Sequence, residues 1–222
     1  MTTPLSQMPK PDAGQYGQAR KLLLVPTFYT APEVPEELVA LLARYWSEVR
    51  DHFASMERSL GQVRHVYHES VYADGDEGMG IVEMANPHGS GFITTLCRST
   101  AKLEVAEDRE TFYEGGDWQR AIAVGLMSEK VQRLAYEGYD DVLRRRYEHI
   151  GQAIDKTLQP GELGALFIVE HHRVQFPVDV QVFFVAPPSL NEIKRWIRDE
   201  LQTTLEDMRQ EQGPSAGAGR PT

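Results

Sequence analysis

The chain alternates short, β-rich apolar runs with longer stretches of helical spacing, and this alternation restricts its fold more than any other feature. Such an order is typical of α/β proteins, in which helices connect the strands of a parallel sheet. We predict an open, mostly parallel sheet of about five strands with helices on both faces and a long C-terminal helix. The predicted strands are residues 21–27, 63–71, 101–106, 163–169 and 180–186.

The last two predicted strands are joined by residues 171–179. This link is too short for a crossover helix, so we predict that the two strands pair as an antiparallel hairpin. Asp179 would then start the fifth strand at the carboxyl end of the sheet. In the C-terminal helix, Ser189 and Glu192 have the spacing of a capping box.

Domain organisation follows from composition along the 222 residues. Residues 19–210 are predicted to form a single α/β domain, with two small domains as the less favoured alternative. Residues 1–18 and 211–222 lack apolar periodicity and are predicted to be flexible tails. Between residues 109 and 158 the chain is helical in character, with a predicted break at Gly115 and Gly116 and further candidate breaks at Gly125 and Gly138.

Charge and composition exclude several classes of function. The formal net charge is −10, with 23 basic and 33 acidic residues, which argues against nucleic acid as a partner. Every apolar run is too short to cross a bilayer, and the N-terminus lacks the order of a secretory signal. We therefore expect a cytoplasmic protein with no membrane partner. The single cysteine, Cys97, excludes an internal disulfide and a four-cysteine zinc site.

Polar residues follow the predicted strands, and they are the first candidates for a site because open α/β sheets bind ligands beyond the carboxyl ends of their strands. These residues are Thr27, Phe28 and Tyr29, then His68, Glu69 and Ser70, then Glu107 and Asp108, and finally Glu170, His171 and His172. Imidazoles and carboxylates are expected to converge at this edge.

A divalent metal is one candidate ligand for such a group. The predicted metal ligands are His68, Glu69, Asp108 and His172, since a hydrolytic ion needs mixed nitrogen and oxygen ligands and one open position. Two simpler interpretations stay open. Adjacent residues on a strand point to opposite faces, so His68 and Glu69 also fit a polar ladder between strands, and His172 also fits an ordinary loop.

Arg146 stands out among three consecutive arginines in a predicted helix. At 100° per residue, Arg144 and Arg145 point to solvent, whereas Arg146 lies at the edge of the apolar stripe. A half-buried guanidinium needs a carboxylate or an anionic ligand, and Asp108 or Glu69 is the predicted partner. A purely structural ion pair is the alternative.

Two stretches resemble the erythromycin-esterase, TraB and ChaN-like superfamily. Residues 146–158, with Gly161 and residues 165–174, are similar to its closing helix and strand, and residues 66–69 and 103–108 are similar to two further strands. The resemblance covers about a third of the chain. It implies Glu69, Arg146 and His172 as site residues, and a divalent metal, haem or a small hydrolysable ligand as the bound group.

These observations lead to two hypotheses. In the first, the chain is a hydrolase-like domain in which Glu69 is a base or ligand, His172 a ligand or base, and Arg146 a clamp for an anionic substrate group. In the second, it is a non-catalytic binding or regulatory domain that acts through a protein partner or as a homodimer. The second is favoured by a missing glycine two residues before His171, and by Trp196 on the final helix.

Overall fold

The computed structural model describes residues 18–30 and 33–211, with side chains to residue 206. The predicted tails, residues 1–18 and 211–222, lie outside this part apart from Gln18 and Glu211. Five strands form one sheet in the order β3-β2-β4-β1-β5, and every neighbouring pair is parallel. The strands are β1 (Arg20–Pro26), β2 (Val63–His68), β3 (Lys102–Leu103), β4 (Leu163–Ile168) and β5 (Val180–Phe184).

Helices of the described residues cover both faces of the sheet. They are α1 (Glu36–Leu60), α2 (Gly75–Ala85), α3 (Ser90–Ser99), α4 (Arg109–Ala123), α5 (Glu129–Thr157) and α6 (Pro188–Glu211). Helices α1, α2, α3 and α6 contribute to one core cluster, and α5 contributes to the cluster on the opposite face. No helix in the described part of the chain is long and apolar enough to cross a membrane.

Aromatic packing dominates the larger core. Phe167, near the carboxyl end of β4, is fully buried among Trp46, Phe53 and Phe92, with ring centroids 6.1 to 6.4 Å from its own. On the opposite face, Ile150 and its neighbours on α5 pack against alternate residues of the central strands. Because β4 is buried on both faces, its sequence is a continuous apolar run, as expected for a central parallel strand.

The predicted antiparallel hairpin is wrong, because β5 runs parallel to β1. Residues 169–179 connect β4 to β5 across β1 without a helix. An extended chain of this length spans about 35 Å, which is enough to run from the carboxyl end of the sheet back to its amino end along strands of about 20 Å. Arg20 holds the start of β5 in place. Its guanidinium donates to both carboxylate oxygens of Asp179, at 2.8 and 2.6 Å, and to Asp155 at 2.9 Å. Asp179 therefore lies at the amino end of the sheet.

Only one of the candidate glycine breaks interrupts the helical region. Gly125, with φ of 71°, lies between α4 and α5. The predicted break at Gly115 and Gly116 is wrong, because both lie within α4, and Gly138 lies within α5. A Cβ atom at Gly138 would come within 2.6 Å of the Trp118 ring on α4. Gly138 therefore allows close packing of the two helices.

The predicted capping box does not form. The backbone N–H and hydroxyl of Ser189 both donate to Glu48 on α1, at 3.0 and 2.6 Å. Glu192 pairs with Arg44, also on α1. The two residues tie α6 to α1 instead of capping their own helix.

Candidate functional site

A crevice lies at the carboxyl end of β4, where neighbouring strands continue into segments on opposite faces of the sheet. The segments after β1 and β2 pack on one face of the sheet through α1 and α2, whereas the segment after β4 packs Val174 and Phe176 on the other. Strands that leave a parallel sheet in opposite directions create a binding crevice at their carboxyl ends. Here the exits of β1, β2 and β4 surround Glu69.

Glu69 is a buried carboxyl group held by both neighbouring strand exits. It is 4% exposed, and its Oε1 accepts hydrogen bonds from the backbone N–H of Val169 at 2.7 Å and from the Thr27 hydroxyl at 3.3 Å. Both bonds end on Oε1, so Oε2 keeps its acceptor capacity for another donor or a ligand. Burial raises the pKa of Glu69 from 4.5 to about 7, against the lowering effects of the Val169 N–H and the Arg146 charge.

Arg146 and Glu107 form a buried ion pair beside Glu69. The guanidinium donates to both oxygens of Glu107, at 2.8 and 2.5 Å, and lies 5.2 Å from the centre of the Phe112 ring. The Glu107 side chain is fully buried, and that of Arg146 is 16% exposed. Burial opposes the charge of Arg146, but its hydrogen bonds to Glu107 raise its pKa overall.

The charges of this pair also act on Glu69, whose pKa is raised chiefly by burial. The Arg146 charge is already balanced by the carboxylate of Glu107, which also acts on Glu69 to raise its pKa. The cluster is electrically neutral when Glu69 carries a proton, and it holds an excess negative charge when Glu69 is ionised. An uncompensated buried charge is unfavourable, so Glu69 titrates near neutral pH.

The turn after β2 presents Ser70 between the two glutamates. The N–H of Val71 donates to the carbonyl of His68 at 3.2 Å, which places Ser70 third in a β-turn. Ser70 has φ of 80°, which favours glycine at this turn position. Its N–H donates to Glu107 Oε1 at 3.1 Å, and its hydroxyl lies 3.0 Å from the Tyr29 hydroxyl. The strained turn therefore links the two carboxyl groups to Tyr29.

A cavity of about 760 Å³ adjoins this cluster. It lies between the exits of β1 and β4, the start of α1 and one side of α6. The cavity is lined in part by Thr27, Tyr29 and Val169. Thr27 and Val169 donate hydrogen bonds to Glu69, and Tyr29 lowers its pKa. Tyr29 is 51% exposed, but burial of its hydroxyl end raises its pKa. Glu69 is not itself a lining residue, but it lies directly beside the cavity, against three residues that line it.

The structure brings together only part of the predicted site. Glu69 and Arg146 lie close enough for each to shift the pKa of the other, but the partner of Arg146 is Glu107 rather than Asp108. Asp108 instead caps α4, where it accepts from the backbone N–H and hydroxyl of Thr111 at 2.8 and 2.7 Å. Glu107 and Asp108 are adjacent but have different roles, because Asp108 accepts a hydrogen bond from a free backbone N–H at the start of α4.

Neither predicted histidine lines the cavity. His68 is fully buried on the other side of β2, stacked on Phe167, and burial lowers its pKa to about 4. His172 is half-buried; its Nδ1 accepts from the N–H of Val174 at 3.2 Å, and its ring meets the edge of Phe176. The neighbouring His171 lines the cavity instead.

The predicted metal ligands therefore do not assemble. No group of three or more His, Cys, Asp or Glu residues within the described ranges is placed to hold a metal ion. The reason is local: His68 faces the helices behind β2, Asp108 caps a helix, and His172 bonds within its own loop. Glu69 alone of the four faces the crevice, so no metal-dependent step is derived for this site.

Several residues of the site were not singled out by sequence reasoning. Lys194 and Arg198 reach the cavity from α6, and they are four residues apart and therefore on one side of the helix. Trp196 also lines the cavity and packs against the core, so it does not make α6 a free surface there. The sequence feature that could have identified Lys194 and Arg198 is their position beside the apolar stripe of the helix.

Comparison with protein-family models, curated proteins and solved structures found no match to this chain. The similarity to the erythromycin-esterase, TraB and ChaN-like superfamily stays a prediction.

Proposed function

We propose that the chain is a hydrolase-like enzyme in which Glu69 is the general base for a small ligand bound in the cavity. One observation carries the proposal: a buried carboxyl group whose pKa lies near 7, at a strand crevice beside a cavity of about 760 Å³. Proton transfer is most efficient when the pKa of the catalytic group lies near the working pH. A cytoplasmic location remains part of this proposal.

The chemistry assigned to the site is simple. Ionised Glu69 accepts a proton from a water molecule as the water oxygen bonds to an electrophilic carbon of the substrate. Protonated Glu69 then returns that proton to the leaving group as its bond to the carbon breaks. The Tyr29 hydroxyl stays protonated because burial raises its pKa, and it supplies a hydrogen bond to the oxygen that becomes negative.

Arg146 acts as a positioning residue in this scheme. Its charge is held by Glu107, so it does not clamp a substrate anion as the sequence suggested. The Arg146 charge lowers the pKa of Glu69 and limits the rise caused by burial. The pair therefore keeps the pKa of Glu69 close to neutral pH, where this carboxyl group can both accept and release a proton.

The first test replaces Glu69 with glutamine, which keeps an oxygen acceptor for Val169 and Thr27 but cannot accept a proton. A panel of chromogenic esters and amides with apolar acyl groups, with and without a terminal carboxylate, is assayed from pH 5 to 9. We expect the wild type to show a rise in kcat/KM centred near pH 7, and Glu69→Gln to lose about 100-fold or more of the rate and this inflection. Glu83→Gln, at an exposed position of α2, is the control.

Two outcomes contradict the proposal. One is a Glu69→Gln variant that keeps the wild-type rate and pH profile. The other is a folded wild-type protein that hydrolyses nothing in the panel, a result that favours the non-catalytic alternative.

The homodimer, one form of the non-catalytic alternative, is favoured by the exposed part of α6. Leu201 and Leu205 continue the apolar stripe of Ile193 and Ile197, yet they are 60% and 50% exposed. A second copy of this helix packed across a twofold axis would cover both leucines. We propose this as the second candidate, compatible with the first.

Light scattering coupled to size exclusion tests the homodimer. The wild type is expected to elute as a dimer at micromolar concentration, and Leu201→Lys/Leu205→Lys as a monomer, because lysine at the interface introduces like charges. Thr203→Lys, on the same helix, is the control and should leave the mass unchanged. A monomeric wild type at 100 µM, a concentration chosen to favour weak association, would rule the dimer out.

A further inference from the structure

The cavity beside Glu69 has an apolar body. Phe28, Val34 and Leu38 line it from the β1 exit and the start of α1, and Ile193 and Ile197 line it from α6. Its volume of about 760 Å³ is within the range typical of small-molecule sites. Such a lining favours a ligand with a hydrocarbon chain or ring.

The charged residues of the cavity are concentrated on α6 and at the end of β4. Lys194 Nζ pairs with Glu170 Oε1 at 2.7 Å, and both side chains are partly exposed. Arg198 has no carboxylate partner among the described residues. The cavity therefore holds two cationic side chains against one carboxylate, in a chain whose net charge is −10.

The guanidinium of Arg198, which has no carboxylate partner among the described residues, favours an anionic ligand group. A guanidinium presents parallel N–H donors that match the two oxygens of a carboxylate. Arg198 is four residues after Lys194 on α6, and both line the cavity together with Ile193 and Ile197, so one ligand can contact the apolar wall and the guanidinium together.

We propose that the ligand of this cavity is an amphipathic compound with an apolar chain or ring and a free carboxylate that binds Arg198. The inference rests on the proposed function for the identity of the site, and it names the substrate class: the carboxylate is separate from the bond that is hydrolysed. The apolar part packs against Trp196 and the neighbouring side chains of α6 and α1.

Binding of simple alkyl probes to the full-length protein tests this inference. Decanoate, decanol, decyltrimethylammonium and decyl phosphate are titrated at pH 8 by calorimetry, with tryptophan fluorescence as a second readout. We expect decanoate to bind at least about tenfold more tightly than decanol or decyltrimethylammonium, and more tightly than decyl phosphate. Equal binding of decanol, or tighter binding of decyl phosphate, would overturn the carboxylate assignment, as would the failure of all four to bind.

Two variants of α6 form the matched comparison. Arg198→Gln is expected to weaken decanoate binding about tenfold and to leave decanol binding unchanged. Arg195→Gln removes a charge from the same helix at a position that does not line the cavity, and it should bind decanoate like the wild type. Equal losses in both variants would show that only the overall charge matters and would overturn the site.

The Glu69→Gln variant separates this inference from the proposed function. If decanoate binds through Arg198 but Glu69→Gln turns over esters normally, the proposed function fails and the carboxylate site stands. If Glu69→Gln loses turnover but decanoate does not bind the wild type, the substrate class fails and the proposed function stands.

Discussion

Replacing Arg146 with methionine is expected to lower the free energy of unfolding by about 3–5 kcal/mol, because it leaves the carboxylate of Glu107 buried without its partner. The Glu107 side chain is fully buried, so water cannot replace the lost guanidinium. Methionine keeps most of the packing volume against Phe112, so the change in the free energy of unfolding reflects mainly the lost charge. Urea unfolding at pH 7 measures the change.

Arg144→Met is the matched control for this prediction. Arg144 pairs with Asp141 and Glu148 at 2.6 and 2.8 Å, in the same helix as Arg146, but its side chain is 58% exposed. Exposed ion pairs contribute about 0–1 kcal/mol, so the control should change stability little. Similar losses in the two variants would contradict a buried pair at Arg146.

A double-mutant cycle adds a second measurement. Glu107→Gln alone keeps an acceptor for the N–H of Ser70 but leaves the Arg146 charge unbalanced. The double variant Arg146→Met/Glu107→Gln removes both charges and is expected to be more stable than the sum of the single losses predicts. Strict additivity would show that the two side chains do not interact.

Glu69→Gln is expected to make the folded protein more stable at pH 8 by about 3 kcal/mol. The pKa of Glu69 rises from 4.5 when unfolded to about 7 when folded, so the folded state binds this proton more tightly. Below the unfolded pKa both states are protonated and the carboxyl group costs nothing. Above the folded pKa both are ionised and the full penalty of burying the charge is present.

The wild type should therefore lose stability relative to the variant as the pH rises from about 4.5 to 7. Urea unfolding of both proteins at intervals from pH 4.5 to 8 measures the difference, and Glu83→Gln serves as the exposed control. A difference that does not change with pH would contradict the raised pKa. Greater stability together with lost turnover would also show that Glu69→Gln fails as a catalyst without unfolding.

Local sequence patterns predicted much of the site and of the elements that carry it. Glu69 was expected at a strand exit, and Arg146 at the buried edge of its helix, because the position of a residue within a strand or helix decides which way its side chain points. The functional roles of both residues remain predictions. The choice between Asp108 and Glu107 as the partner of Arg146 could not be made, because both residues precede the same helix and only three-dimensional distance separates a helix cap from an ion pair.

The sequence by itself determined the alternation of strands and helices, since apolar periodicity and turn residues act over a few neighbouring positions. Only the tertiary structure decided the direction of β5, which follows the contact between Arg20 and Asp179 across 159 positions of the chain. It also decided that α6 closes the cavity beside Glu69. Contacts between segments so far apart depend on the packing of the whole sheet, and no short stretch of sequence contains them.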